Sequence, residues 1–240
     1  MQATEVVSLQ TLLEALEDHA WEDEYLFRGQ PSDLPLLPRV ARVKLRDHAL
    51  SVDAEQQMLR DFKLRAKPHM AISDLDEWDW LALAQHHGMA TRLLDWTTNP
   101  LAALWFAVSK PPRSDAPGVV WVLRSTRADF VEGDQQLKPW DIKRTRIFRP
   151  SHVTPRIVAQ SGWFTVHLRL KGTRPYIPLD KNKLYSTKLQ KLLVPAQAFS
   201  NLRWDLDRAG VNEASLFPDL VGISKYVEWQ HTLLEDEGDD

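Results

Sequence analysis

The chain has 240 residues, of which 43% are hydrophobic and 26% charged, and it contains no cysteine. This length allows one domain or two, and such a chain buries a large core without covalent cross-links. The lack of cysteine excludes disulfides, thiolate metal sites and cysteine nucleophiles, and it fits a reducing compartment. The first ten residues do not resemble a secretory signal, and no apolar stretch is long enough to span a bilayer. We therefore expect a cytoplasmic protein that does not bind membranes.

The formal net charge of -3 conceals a strongly uneven distribution along the chain. Residues 1–25 carry seven acids and no Lys or Arg, and residues 195–240 carry ten acids against three bases. Residues 135–194 instead carry thirteen Lys or Arg against two acids. Such a basic stretch either attracts a polyanion or neutralises the acidic flanks within the fold. Both alternatives stay open at this point.

Apolar periodicity predicts alternating helices and short strands. The predicted helices cover residues 8–20, 54–66, 76–88, 100–108 and 195–208, with a capping box at the first and Gly88 as the C-cap of the third. The predicted strands cover residues 24–28, 119–124 and 163–170, and residues 176–179 are a candidate further strand. Residues 91–97 form a loop or strand, and residues 183–193 a helix or a basic segment flanked by strands.

This mixture favours the α+β class. We expect a single domain over residues 1–240, with a mixed or antiparallel sheet as its core and helices on its flanks. The core covers about residues 20–225, and the acidic tail at residues 235–240 is expected to be frayed.

The first polar segment is the run from Phe27 to Gln30, where an arginine at a strand end is followed by glycine. The planar guanidinium of Arg28 suits phosphate because it donates two hydrogen bonds at once. Gly29 allows a ligand to come close to the backbone. The alternative reading is an ordinary turn at the end of a strand.

The second polar segment, residues 85–107, places polar groups between two apolar helices. Arg92 and Asp95 are three residues apart, and their pairing would simply hold the loop. Asn99 and Pro100 occupy the N-cap and first positions of the next helix, and a helix N-terminus attracts anions.

The third polar segment, residues 156–164, contains Gln160 and Gly162 in a turn before a strand. Gln160 either binds a ribose or base edge or satisfies backbone groups of the turn.

Together these segments resemble the FRG domain family, which is named for the tripeptide found here at Phe27, Arg28 and Gly29. The long run at residues 85–107 carries most of the resemblance, and residues 160–164 and 216–220 continue it. The resemblance covers about residues 20–225.

A second resemblance is to ADP-ribosyltransferases of the Arg-Ser-Glu type, which implies an ADP-ribosyltransferase-like fold. Arg28 resembles their first-strand arginine, and Thr97, before an apolar helix, resembles their second element. The resemblance implies that Arg28 binds the pyrophosphate or nicotinamide ribose of NAD and that Thr97 supports the nicotinamide pocket. Arg156 stands where the family's glutamate is expected, so Asp95 or Glu213 would have to supply the carboxylate.

The leading hypothesis is therefore an enzyme that cleaves NAD and transfers ADP-ribose to a macromolecule, as a bacterial toxin or antiphage effector held in check by an antitoxin. Its acceptor is RNA, DNA or protein, and no metal is expected. The residues assigned to catalysis are Arg28, Asp95, Thr97 and Gln160, and those assigned to NAD are Arg28, Gly29, Gln30, Thr91, Arg92 and Thr97. The residues assigned to nucleic acid are Lys143, Arg144, Arg146, Arg149 and Arg156.

Two alternatives compete with this hypothesis. One is a non-catalytic nucleic-acid-binding module built on the basic stretch, which the lack of a glutamate at position 156 favours. The other is a metal-independent nuclease that uses His86 or His87 as a general acid or base. The two histidines are adjacent and lack metal-ligand spacing.

Overall fold

The computed structural model describes residues 4–17, 24–44, 52–69, 75–131, 137–151, 154–171 and 175–238. The described part is α+β, as expected, with one seven-stranded sheet in the order β1-β7-β4-β2-β3-β6-β5. The strands are β1 Thr4–Glu5, β2 Glu24–Gln30, β3 Leu93–Thr97, β4 Gly118–Ser125, β5 Arg146–Phe148, β6 Gly162–Val166 and β7 Leu189–Val194. Neighbouring strands are antiparallel except for β1 and β7, which are parallel, so the sheet is mixed.

The helices are α1 Leu9–Glu14, α2 Val52–Ala66, α3 Glu77–His86, α4 Pro100–Val108, α5 Pro155–Ala159, α6 Phe199–Arg208, α7 Glu213–Leu216 and α8 Leu220–Gln230. Helix α4 begins as predicted, because the Asn99 side chain accepts from the backbone N–H groups of Leu101 and Ala102 at 2.9 and 3.3 Å. Helix α3 is capped by Asp76 and is followed by Gly88 at a φ of 82°, which confirms that glycine's predicted role. No helix among the described residues is long and apolar enough to cross a membrane.

Three apolar clusters divide the core. On one face of the sheet, α4 and α6 cover β2, β4 and β7, while α2 and α3 cover β3, β5 and β6. The opposite face is closed by Leu36, Leu179 and Tyr185, which come from segments outside the strands. Strands β2 and β3 pair at one position only, Phe27 with Thr97. The two groups of helices, α4 with α6 and α2 with α3, therefore meet above a part of the sheet with few hydrogen bonds.

Several predicted boundaries are wrong for identifiable reasons. Helix α1 ends at Glu14 instead of near residue 20, and β2 continues through Gly29 to Gln30 because its pairing with β4 is unbroken there. Strand β6 ends at Val166, four residues early. Residues 176–179 form no strand, because Leu179 begins a single helical turn and its backbone N–H donates to the Leu36 carbonyl at 2.9 Å.

The C-terminal region also departs from expectation. Residues 183–187 form turns and β7 follows them, so residues 183–193 are not a helix, and a strand begins inside the segment. The tail is anchored rather than frayed as far as Glu237, because Arg203 binds Asp236 at 2.6 Å and Glu237 at 2.9 Å. Residues 239–240 lie outside the described residues.

Candidate functional site

A cleft of about 1280 Å³ opens over β3 and β6, between the end of α3 and the helices α4, α5, α7 and α8. All three predicted polar segments reach it, through Arg28, through Asp95 and Thr97, and through Arg156 and Gln160. Segments more than a hundred residues apart thus converge on one cavity, as expected for a ligand site.

Arg28 follows the single position at which β2 pairs with β3, and its guanidinium reaches across to β3. Its Nη1 donates to the backbone oxygen of Asp95 at 2.7 Å and lies 3.7 Å from a carboxylate oxygen of the same residue. Its Nε is buried and has no hydrogen-bond partner among the described residues. Burial lowers the pKa of Arg28, and the negative charge of Asp95 opposes that shift. The side chain is therefore held in place with one buried donor unused.

The two residues after Arg28 serve the fold. A Cβ atom at Gly29 would lie 1.8 Å from the Ala103 carbonyl oxygen and 2.7 Å from the Ala107 nitrogen, so only glycine lets α4 pack on β2 here. Gln30 is buried, and its Oε1 accepts from the indole of Trp121 at 2.9 Å. The structure therefore gives Gly29 a packing role at the edge of the cleft and does not bring Gln30 to it.

The Asp95 carboxylate projects into the cleft with 57% of its side chain exposed. Gln85 on α3 holds it, donating to its two oxygens at 3.1 and 3.3 Å. Gln85 is in turn fixed by the buried Thr91, whose hydroxyl donates to the Gln85 Oε1 at 2.8 Å. Thr91 is thus a positioning residue for Asp95 and does not line the cavity.

Arg92 does not pair with Asp95. It is 1% exposed, its Nε donates to Glu55 at 2.9 Å, and its guanidinium lies 4.5 Å from the ring centre of Trp140. Tyr176 donates to the other oxygen of Glu55 at 2.5 Å. Arg92 therefore ties α2 to β3 within the core, away from the cleft.

Thr97 and Gln160 both line the cleft, but their polar groups are engaged within the protein. The Thr97 hydroxyl donates to the Gln160 carbonyl at 2.6 Å and accepts from the Asn99 N–H at 3.0 Å. The Gln160 side chain donates to the Leu216 carbonyl at 3.1 Å. These two residues join β3, α5 and α7, so they shape the cavity.

Arg156, assigned from sequence to nucleic acid, lies in the cleft with its guanidinium 4.0 Å from the ring centre of Phe217. Burial lowers its pKa, and the negative charges of Asp219, Asp95 and Glu213 oppose that shift. Asp95 therefore acts electrostatically on two arginines of the cleft, Arg28 and Arg156.

The other residues assigned to nucleic acid lie toward the far edge of the sheet. Arg144 and Arg146 both donate to the Ala128 carbonyl, and Arg146 also donates to that of Phe130 at 3.0 Å. Lys143 is exposed, and the Arg149 guanidinium lies 5.3 Å from the ring centre of Trp163. The densest basic cluster is thus partly used to hold a loop.

The two histidines of α3 line the cleft side by side, with ring centres 4.8 Å apart. Burial lowers the pKa of His86 to about 4, and the charges of His87 and Arg156 add to the shift. His86 is therefore neutral at pH 7. Within the described residues, no group of three or more His, Asp or Glu side chains is placed to hold a metal ion.

Sequence reasoning missed the wall formed by α8. Tyr226, Glu228 and Trp229 line the cleft from that helix, while Glu213 and Phe217 line it from α7 and its end. The available signal was Asp219 before an apolar run, since its side chain caps α8 by accepting from the Gly222 N–H at 2.9 Å.

The fold and the cleft define an α+β protein with a ligand-sized site between the end of α3 and the helices α4, α5, α7 and α8. Residues 23–116 match the FRG domain. The matched segment includes Arg28, Gln85 and Asp95, whereas Arg156 and the α7–α8 wall lie beyond it. Neither the curated proteins nor the solved structures include one that matches the chain.

Proposed function

We propose that the cleft binds NAD and that the protein transfers ADP-ribose from it to a macromolecular acceptor. The observation that carries the proposal is the convergence of Arg28, Asp95 and Arg156 on one cavity of about 1280 Å³. The cavity is large enough for a dinucleotide, and it combines guanidinium groups with a carboxylate and aromatic rings.

The donor set suits an anionic dinucleotide. Arg28 has a buried Nε without a partner, and guanidinium groups bind phosphate oxygens through paired hydrogen bonds. Arg156 lies against Phe217 at 4.0 Å, and Trp105 and Phe106 pack around the same ring. We therefore assign the pyrophosphate to Arg28 and Arg156, and a ring of the dinucleotide to the aromatic wall.

The bond between the ribose C1′ and the nicotinamide nitrogen breaks in this reaction, and its electron pair stays on the nitrogen. Asp95, which Gln85 holds at 3.1 Å, stabilises the positive charge that develops on the ribose carbon. The acceptor's nucleophilic oxygen or nitrogen forms the new bond to C1′, and its proton passes to Glu213 in the same cleft. Thr97 and Gln160 keep the two sides of the cavity at a fixed separation.

Nicotinamide release from NAD by the purified protein, with and without total RNA or a protein extract, tests the proposal. Arg28→Lys keeps the charge but loses the planar fork, and we expect it to reduce release at least tenfold. Arg208→Lys is the matched control, since Arg208 is 77% exposed on α6. The absence of release by the wild type under all three conditions would overturn the proposal.

An enzyme with this activity is expected to be toxic to the cell that makes it, so we extend the proposal to a toxin or antiphage effector with an antitoxin partner. Arrested growth on expression, relieved by Arg28→Lys but not by Arg208→Lys, is the expected result. Growth arrest that persists equally in both variants would separate toxicity from the cleft.

A further inference from the structure

Helices α6 and α8 bring three aromatic rings together beside the cleft, those of Trp204, Tyr226 and Trp229. The ring centres of Trp204 and Trp229 lie 4.7 Å apart, and those of Tyr226 and Trp229 lie 6.2 Å apart. Trp204 is 40% exposed, although a tryptophan usually lies in the core. We call these three residues the α6–α8 aromatic surface.

The segment that carries this surface is predominantly negative. Its described part, residues 195–238, has eight acids against three bases, and each base lies close to an acid. Arg203 is 4% exposed and binds Asp236 and Glu237. Arg208 lies 3.3 Å from Asp205, and Lys225 lies 3.6 Å from Glu213.

Asp207 and Glu228 are two further acids, outside these pairs, on the same two helices as the rings. The Asp207 carboxylate lies beside the Tyr226 hydroxyl, and Glu228 is exposed on α8 one residue before Trp229. The Asp207 and Glu228 carboxylates disfavour phosphate on the rings themselves, unlike the part of the cleft lined by Arg28 and Arg156. Cationic side chains are instead attracted both by these carboxylates and by the faces of the rings.

The α6–α8 aromatic surface is continuous with the cleft. Tyr226, Glu228 and Trp229 line the cavity that contains Asp95 and Glu213. A chain lying on this surface therefore leads directly to the residues to which the reaction is assigned. The basic cluster at residues 143–149 offers no comparable platform, since Arg144 and Arg146 are used to hold the loop at Ala128.

We propose that the α6–α8 aromatic surface docks a basic segment of the acceptor, so that the acceptor is a protein and not a nucleic acid. This proposal rests on the proposed function for its chemistry, but the docking itself is a separate property. Arginine and lysine side chains of the segment lie on the rings of Trp204 and Trp229, with Asp207 and Glu228 as counter-charges.

Fluorescence anisotropy with three labelled probes tests the docking: a twelve-residue Arg/Ser peptide, a Glu/Ser peptide of the same length, and a twelve-nucleotide RNA. We expect the full chain to bind the basic peptide most tightly at low salt and more weakly as salt is added. The double variant Trp204→Ala, Asp207→Asn is expected to weaken peptide binding at least tenfold without changing RNA binding. Lys143→Gln with Arg149→Gln is the matched control and should leave peptide binding unchanged.

The outcomes separate the two proposals. Peptide binding that survives Trp204→Ala and Asp207→Asn, in a variant whose thermal unfolding is unchanged, overturns the docking surface. RNA binding that exceeds peptide binding and is lost in the Lys143 and Arg149 variant makes nucleic acid the acceptor. Specific peptide binding without any nicotinamide release from NAD supports the surface and contradicts the proposed function alone.

Discussion

Asp95 is the residue on which the proposed chemistry depends most directly. Asp95→Asn keeps the shape and the bond from Gln85 but removes the charge, so we expect nicotinamide release to fall about 100-fold or more. The unfolding free energy should change little, because the side chain is 57% exposed.

Asp33→Asn is the matched control, since Asp33 is 52% exposed and pairs with Lys191 outside the cleft. Steady-state kinetics of both variants gives the comparison. Equal rates for the wild type and Asp95→Asn would remove Asp95 from the mechanism and leave Glu213 as the remaining assigned carboxylate.

Gly29 is the second residue whose substitution has a specific expected effect, here on stability. Gly29→Ala forces a methyl group against the Ala103 carbonyl, 1.8 Å away, so α4 must move off β2. We expect a loss of about 1–3 kcal/mol in unfolding free energy, measured by denaturant titration. Gly238→Ala has no atom within 4 Å of the new methyl group and should change stability by much less. A stable Gly29→Ala protein would show that α4 does not pack on β2 as described.

The sequence predicted single residues well where the partner is near in the chain. Asn99 caps α4 through N–H groups two and three residues away, and such bonds can be read from local spacing. The sequence did not predict the partners of Gln30 and Arg92, because these partners are distant in the chain. Trp121 is 91 residues from Gln30, and Glu55 is 37 residues from Arg92. A polar residue inside a motif looks the same in sequence whether it faces a ligand or a buried partner.

At the scale of elements, the C-terminal tail fixes α8 against the body of the protein. Arg203 on α6 binds Asp236 and Glu237, and Glu237 also accepts from the Trp229 indole at 3.2 Å. The bonds from Arg203 to Glu237 and to the Val108 carbonyl are buried. The tail thereby holds one wall of the cleft.

Arg203→Met should therefore lower the unfolding free energy by about 3–5 kcal/mol, because it leaves a buried carboxylate without its partner. Arg208→Met is the control, since its exposed pair with Asp205 contributes about 1 kcal/mol or less. In the Arg203→Met variant, amide hydrogen exchange should accelerate more in α8 than in β4. Equal stability of the two variants would mean that the tail does not hold α8.

The prediction of helices also succeeded where the sequence signal is local and failed where it is not. The helices α3 and α4 have buried apolar faces and local caps, and the sequence predicted both. Helix α8 has only Gly222 buried among its described residues, so its apolar residues show no core-facing pattern, and the sequence analysis missed it. Because α8 was missed, one wall of the cleft was absent from the predicted site, whereas Arg28, Asp95 and Thr97 line the same cavity.

At the scale of the whole molecule, the folded state keeps two histidines neutral. Burial lowers the pKa of His167 to about 3 and that of His86 to about 4. In the unfolded chain these histidines bind protons near pH 6.5, whereas in the folded protein they do not. Their contribution to stability is therefore fully present above pH 6.5 and is lost as the pH drops toward the pKa values of the folded state.

We therefore expect the unfolding free energy to decline already between pH 6.5 and 5, as measured by denaturant titration at several pH values. His86→Asn should reduce this slope. The carboxyls of Asp129 and Glu237 have lowered pKa values, so their contribution is lost only below their ordinary values of 3.8 and 4.5. A flat profile from pH 6.5 to 5 would contradict the neutral histidines.

The tripeptide at positions 27–29 unites two different kinds of constraint. Phe27 and Gly29 keep α4 on the sheet, while Arg28 places a charged side chain in the cleft. Under the proposed function, a chain could lose Arg28 together with its ligand while Phe27 and Gly29 preserve the architecture. The match of residues 23–116 to the family model thus reports the scaffold, whereas position 28 tests the proposed activity separately.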